Sequence, residues 1–330
     1  MTSTAPDANA GPVVALCGGI GGAKLALGLS RVLPGDDLVI VVNTGDDFRH
    51  LGLHISPDID TVAYTLADLA NPEMGWGRKD ETWNFMTALG EIGGETWFRL
   101  GDRDLALHVE RTRRLDAGES LSEVTADLCR RLGVCARIVP MSDEPVRTVV
   151  ETEAGVLPFQ RYFVAARAEP VLRAVRFEGA EAARPAPAAV EALARADLAG
   201  VVICPSNPWL SVDPLLAVPG LGEAVRASDA PVVAVSPIVG GKALKGPTAK
   251  IMGELGLEVS PAAIARHYDG LIDGFVIDRQ DAEQAARLGL PVAVEQTVME
   301  SEGDKMELAR AVLAFCARLK AGATPAEGAA

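Results

Sequence analysis

Short β-rich runs, almost wholly apolar, alternate with helix-like patterns at both ends of this chain. Val13–Cys17 and Leu38–Asn43 come first; Val201–Cys204, Val232–Val235, Gly274–Ile277 and Pro291–Val294 come later. A strand that is apolar on both faces belongs in a parallel sheet covered on both sides by helices. A helix is expected from about Gly22 to Val32. Another opens at Ser56-Pro57-Asp58-Ile59-Asp60, with Ser56 as N-cap, Pro57 at the first helical position, and Ile59, Val62, Ala63, Leu66 and Ala70 as its inward stripe. The pattern predicts an α/β fold, a doubly wound, Rossmann-like parallel sheet.

The middle of the chain breaks the alternation. Helical patterns at Arg103–Ala117 and Leu121–Leu132 precede strand-like Ala136–Pro140, Arg147–Thr152 and Val156–Tyr162, the last two joined by Glu153-Ala154-Gly155, a hairpin-like turn. Residues 102–185 therefore read as a mixed α+β insertion within a single domain spanning 12–321. The polar and Ala/Gly-rich ends, 1–11 and 322–330, read as disordered.

Composition narrows the function. A formal charge of −14 excludes the basic face of a nucleic-acid binder, and means that a phosphorylated ligand needs local cations. The cysteines, Cys17, Cys129, Cys135, Cys204 and Cys316, show no metal-ligand spacing and read as buried small apolar residues in a reducing compartment. With no signal-peptide pattern and no long apolar run, a soluble cytoplasmic protein without membrane contact is expected.

Two glycine-rich turns carry the candidate chemistry. Cys17-Gly18-Gly19-Ile20-Gly21-Gly22-Ala23-Lys24 follows the first strand, and Gly240-Gly241-Lys242-Ala243-Leu244-Lys245-Gly246-Pro247 follows the Val232–Val235 strand. A strand that ends in glycines and opens a helix presents backbone N–H groups and a positive dipole end to phosphate. The first is not a Walker A motif, and it departs from the dinucleotide fingerprint because Lys24 stands where the third glycine belongs. Read as structure alone, it is a tight strand–helix connection; Lys24, unfavourable near a helix start without an anion, argues for a ligand.

Asn43-Thr44-Gly45-Asp46-Asp47 falls at the carboxyl edge of the second strand, with Asp58 and Asp60 soon after. Asp46 and Asp47 fit either a solvated turn or a site where Mg²⁺ is shared with phosphates; Asp58 and Asp60 fit either that site or compensation of a helix dipole. Cys204-Pro205-Ser206-Asn207-Pro208 reaches the same edge, where Ser206 and Asn207 could bond a base, ribose or phosphate, or merely close a turn. Trp76 and Trp83 flank a charged cluster that a flat ligand could stack on, or cover a core. The histidines form no metal set, and no nucleophile elbow is present.

Taken in order, GGIGGAK, NTGDD, SPDIDT, the DETW segment, LGDRD, PMSDEP, PSNP and SPIVGGKALKGPTAK resemble the CofD/FbiA family from about Val13 to Cys316. These are the 2-phospho-L-lactate and phosphoenolpyruvate transferases of coenzyme F420 biosynthesis. The resemblance implies a CofD-like fold and a Mg²⁺-dependent transfer to the deazaflavin Fo from a GDP-linked lactyl, enolpyruvyl or glyceryl acid, releasing GMP. It places the glycine turns with Lys24, Lys242 and Lys245 on the diphosphate, and Ser206 and Asn207 on the guanylyl side. Asp46, Asp47 and Asp60 are placed on the metal and in catalysis, with Asp60 and Arg99 on Fo. A homodimer is also implied. GGIGGAK, DETW and GGKALKGP lean toward the bacterial, enolpyruvyl branch.

Two rivals differ in class. Gluconeogenesis-factor relatives bind nucleotide-sugars as regulators and carry a DDGGSSG-like stretch where this chain has Asp46-Asp47-Phe48-Arg49-His50. A nicotinamide-dependent dehydrogenase is opposed by Lys24 and by the lack of an acid ending a plain second strand.

Overall fold

The six apolar runs and the strand-like stretch at Ala136–Pro140 assemble into one parallel sheet of seven strands. The computed structural model describes residues 11–322 except Lys245, so the termini expected to be disordered lie, save Gly11 and Gly322, outside the described residues. The strands are β1 (Val13–Cys17), β2 (Leu38–Val42), β3 (Arg137–Pro140), β4 (Gly200–Ile203), β5 (Val232–Val235), β6 (Gly274–Asp278) and β7 (Val292–Glu295). Their spatial order is 7-6-5-4-1-2-3, and each neighbouring pair is parallel. The order turns around at β1, which pairs with β2 on one side and β4 on the other. That switch point opens a crevice at the carboxyl ends of the strands, where ligands of such sheets bind.

Side-chain alternation along β1 divides the core in two. Val14 and Leu16 join one buried cluster, with Trp209, Leu215 and Phe275 among its members. Val13, Ala15 and Cys17 join the other, with Leu25, Leu29 and Val62. Helices Gly19–Val32, Pro57–Leu66 and Glu302–Lys320 cover this second face. Each large aliphatic side chain fully buried there contributes roughly 1.5–3 kcal/mol relative to exposure. Among the described residues, no helix is long and apolar enough to cross a membrane.

Three local expectations change. β3 lies inside the stretch 102–185 set apart as an insertion, yet pairs with β2 as the sheet's edge. Of the described strands in that stretch, only the antiparallel piece built from Arg147–Thr152, Gly155–Pro158 and Leu172–Glu178 stands off the main sheet. The strand expected over Val156–Tyr162 stops at Pro158 and gives way to a helical turn, Arg161–Ala165. Phe159 and Phe163, four apart, stack at 5.3 Å between ring centroids, a helical spacing that the apolar run disguised. Finally, Cys135 is exposed while the other four cysteines are buried, and all five are free.

Candidate active site

The crevice at the switch point is a cavity of about 490 Å³. Of the residues singled out in the sequence, Gly18, Gly19, Gly21 and Lys24 line it from the first turn, and Asp46, Asp60, Arg99, Ser206 and Asn207 line it from other segments. Gly22 lies beneath, packed against Ser206 and Cys17. Asp47 sits behind the wall, and Gly240, Gly241 and Lys242 are off it. Lys245 lies outside the described residues.

The first turn forms the opening of the helix itself, which begins at Gly19 rather than Gly22. Lys24 therefore stands in the second turn, where its Nζ donates to the Met299 carbonyl at 2.7 Å. A β-carbon on Gly21 would lie 2.4 Å from the Pro205 carbonyl oxygen, so only glycine permits this approach of backbone to backbone. Ser206 holds the turn from the β4 side: its hydroxyl donates to the Gly18 carbonyl at 2.8 Å and accepts from the Gly18 N–H at 3.2 Å. Its neighbour Asn207 accepts from the N–H groups of Trp209 and Leu210. That fixes the amide so that its buried Nδ2, without a protein partner, remains for a ligand.

Asp58, read from sequence as a helix-dipole acid, is central. One oxygen accepts the Gly19 N–H at 2.8 Å, and the other accepts Asn43 Nδ2 at 2.9 Å. Asn43 also donates to the Leu210 carbonyl at 3.3 Å and accepts from Gly45 N–H at 2.8 Å. One asparagine thus joins the rim turns after β2 and β4 directly, and the turn after β1 through Asp58. Ser56 occupies the N-cap position without capping; its hydroxyl donates to Asp47 Oδ2 at 2.8 Å.

Acid is concentrated here beyond what the wall neutralises. Burial, reinforced by Asp58, pushes the Asp46 carboxyl well above the usual range. Burial likewise raises Asp58 to about 6, against the pull of Asn43 and Gly19. Asp46 Oδ1, Asp47 Oδ1 and Thr44 Oγ1 are buried without a hydrogen-bond partner. Such orphans call for a bound group, and hard oxygens with surplus negative charge suit Mg²⁺.

Asp60, the third acid expected on the cation, is engaged elsewhere. Both its oxygens accept from the fully buried guanidinium of Arg111, one at 3.0 Å and one through a still closer contact to Nη2. Burial raises Asp60, while Arg111 and His108 pull it back. Helix Asp102–Asp116 supplies this partner and places Asp104 and His108 beside it. His108 Nε2 lies 3.2 Å from Asp104 Oδ2, and Tyr64 donates to Asp104 Oδ1 at 2.5 Å. Among the described residues, donor atoms of Asp60, Asp104 and His108 gather within 4.8 Å, unlike those of Asp46, Asp47 and Asp60. The sequence signal was the spacing of Asp104, His108 and Arg111 on one helical face.

The second glycine turn has a different nature. Gly240 and Gly241, at φ of +55° and +71°, form the tip of a hairpin between Ile238–Val239 and Lys242–Ala243, the left-handed pair a two-residue hairpin demands. Gly240 N–H is already bonded to Asp281 at 2.9 Å, and Lys242 is exposed. Leu244, Gly246, Pro247 and Thr248, further on, do reach the cavity. The opposite half of the wall is apolar and aromatic, with Trp76, Phe98, Phe159 and Phe163. Trp83 is off this wall; the Arg99 guanidinium lies over its ring at 4.1 Å.

Comparison with known proteins identifies the family and the fold. Residues 13–312 match the family model described as 2-phospho-L-lactate transferase CofD. The chain is similar to a phosphoenolpyruvate transferase of Streptomyces griseus, 42% identical over 94% of this chain and 99% of the relative. It is also similar to a 2-phospho-L-lactate transferase of Methanosarcina mazei, 38% identical over 91% and 99%. A UPF0052-family protein of Bacillus halodurans shares the fold at a TM-score of 0.61 and 18% identity, covering 92% of this chain and 98% of that one.

Proposed function

The chain belongs to the CofD family of transferases, and we propose that it moves a phospho-three-carbon acid from a GDP-linked donor to the deazaflavin Fo, releasing GMP. One observation carries this reading: a single cavity joins a glycine turn with a lysine, a surplus of buried acid and an aromatic half. The donor and acceptor of such a reaction need those environments side by side. The 42% identity to the Streptomyces griseus phosphoenolpyruvate transferase supports the enolpyruvyl donor and a dehydro product.

In the proposed arrangement, Lys24 and the first glycine turn hold the diphosphate, and Asn207 Nδ2 donates to the guanylyl side. Ser206, with its hydroxyl spent on Gly18, keeps the turn in shape. The aromatic half takes the deazaflavin ring, with Arg99 at its border. The terminal hydroxyl oxygen of Fo bonds to the phosphorus bearing the three-carbon acid, the bond from that phosphorus to the bridging oxygen breaks, and GMP leaves. The hydroxyl proton passes to Asp46 or Asp60, the two of the three candidate catalytic acids that face the cavity. Lys24 stabilises the charge that develops on the leaving phosphate. Mg²⁺, held by Asp46 and Asp47, would supply charge neutralisation at the diphosphate oxygens.

The test incubates the purified protein with Fo, Mg²⁺ and each of the lactyl, enolpyruvyl and glyceryl GDP-linked acids, and identifies products by mass. Formation of dehydro-F420-0 and GMP from the enolpyruvyl donor is expected; no adduct from any donor would overturn the reading. Light scattering on the same sample checks the homodimer proposed with it.

A further inference from the structure

Lys250 is not part of the cavity wall, yet it ties together elements from two sides of the cavity. Its helix, Thr248–Glu254, begins at the rim formed by Leu244, Gly246, Pro247 and Thr248. The Lys250 ammonium donates to the Pro170 carbonyl at 3.1 Å and to the Tyr162 hydroxyl at 3.5 Å. It also pairs closely with Glu254, one turn further on. Glu254 in turn accepts the Leu172 N–H at 3.0 Å. Two side chains of one short helix therefore grip three points of the segment 159–172, which supplies Phe159 and Phe163 to the aromatic half of the cavity.

That segment is strained. Just after the helical turn Arg161–Ala165, Arg167 and Ala168 both take φ of +53°. Residues with a β-carbon avoid this left-handed region, and strained backbone persists only where its surroundings over-determine it. Here Ala168 is buried and donates its N–H to the Tyr162 carbonyl at 2.8 Å. The grip of Lys250 and Glu254 closes on either side of it, at Tyr162 and at Pro170 and Leu172.

We propose that Lys250 and Glu254 are positioning residues of a clamp that couples the two sides of the cavity, so that a nucleotide on the donor side seats the strained segment 159–172 and tightens binding of the acceptor. The proposal rests on the donor and acceptor reading above. In the sheet, β4 lies between β1 and β5. A nucleotide spread from the turn after β1 to Asn207 after β4 therefore lies next to the rim that follows β5. Ordering that rim fixes the start of helix Thr248–Glu254, and the helix brings Lys250 and Glu254 into register with Tyr162, Pro170 and Leu172. Without the nucleotide, strain at Arg167 and Ala168 favours release of the segment. The apparent affinity for the acceptor then falls in proportion to the fraction of molecules still clamped. No contact between the two ligands is needed for this coupling.

Fluorescence titration of Fo in Mg²⁺, with and without saturating GDP, tests the clamp. In the wild type, GDP is expected to tighten Fo binding by at least about fivefold. Lys250→Met keeps the apolar stem and removes the charge. It is expected to reduce that factor to less than about twofold by weakening Fo in the presence of GDP, while GDP alone binds as in the wild type. Arg167→Gly changes an exposed residue and puts at the left-handed position the residue that accepts it. It is expected to shrink the factor from the other direction, tightening Fo by about fivefold when GDP is absent. Thermal melts check that both variants fold, and the glycine variant keeps the test decisive if Lys250→Met does not. Wild-type affinity for Fo that is unchanged or weakened by GDP would overturn the clamp alone. So would Lys250→Met with the full factor, or Arg167→Gly with no gain in affinity for Fo. A wild-type protein that binds neither Fo nor GDP would overturn the proposed function and the clamp together.

Discussion

The two glycine turns look alike as text and differ as objects. The first opens a helix at the switch point of the sheet, lines the cavity, and is locked from both sides by Ser206 and Asp58. The second is the tip of a hairpin whose glycines and Lys242 lie off the cavity wall, and only its far end returns to the rim. Glycine with lysine after an apolar strand therefore identifies a turn. Whether that turn faces a ligand depends on where the next element goes: directly into a helix in one case, back along an antiparallel partner in the other.

The sharpest way to break this contrast is Gly21→Ala. Its β-carbon would meet the Pro205 carbonyl at 2.4 Å, and turnover should fall at least roughly a hundredfold with a stability loss of about 3 kcal/mol; a variant with near wild-type rate and melting temperature would refute the tight-approach argument. Next come the lysines. Lys24→Ala should lower kcat/KM for the donor by roughly a hundredfold, whereas Lys242→Ala should change it by less than about threefold. Steady-state kinetics on the two variants would invert the comparison if the order were reversed.

A third experiment uses pH. The Asp58 carboxyl is raised to about 6, chiefly by burial, so between about pH 4 and pH 6 the folded protein keeps a proton that the unfolded chain has released. Its contribution to stability is present below that window and is lost as pH rises through it, by about 3 kcal/mol at most. Urea unfolding should show this part of the slope disappearing in Asp58→Asn; an unaltered slope would mean that the carboxyl is not raised. The smallest effect belongs to the hairpin: Gly241→Ala, at φ +71°, should cost about 1 kcal/mol through left-handed strain and leave the rate within about twofold.

What could be read from the sequence was what local pattern dictates. β1 and β5 were placed to the residue, and the other four sheet strands anticipated at the two ends were placed to within a residue at each end, because nearly all-apolar runs have few other uses. The side chains of the site were harder. Asp58 and Asp60 carry the same local signal of acids in a first helical turn, yet one bonds Gly19, 39 residues earlier, and the other Arg111, 51 residues later. His108 and Arg111 sit in a helix so rich in charge that its buried face shows only in the spacing of Asp104, His108 and Arg111, a signal that gains meaning once Asp60 and Tyr64 meet it. Ser56 shows the reverse failure: the rule for its position was sound, but Asp47 offered its hydroxyl a stronger acceptor.

The Asn43 side chain reaches turns that follow two different strands, together with the start of a helix whose Asp58 holds a third turn. Its small size sets a shared ruler for all of them. Lengthening any one turn by a single residue would pull the others out of alignment, so this rim accepts changes of side chain far more readily than changes of length. Diversification of the acid a relative transfers is therefore expected through substitutions around the pocket, with its frame kept to a fixed residue count.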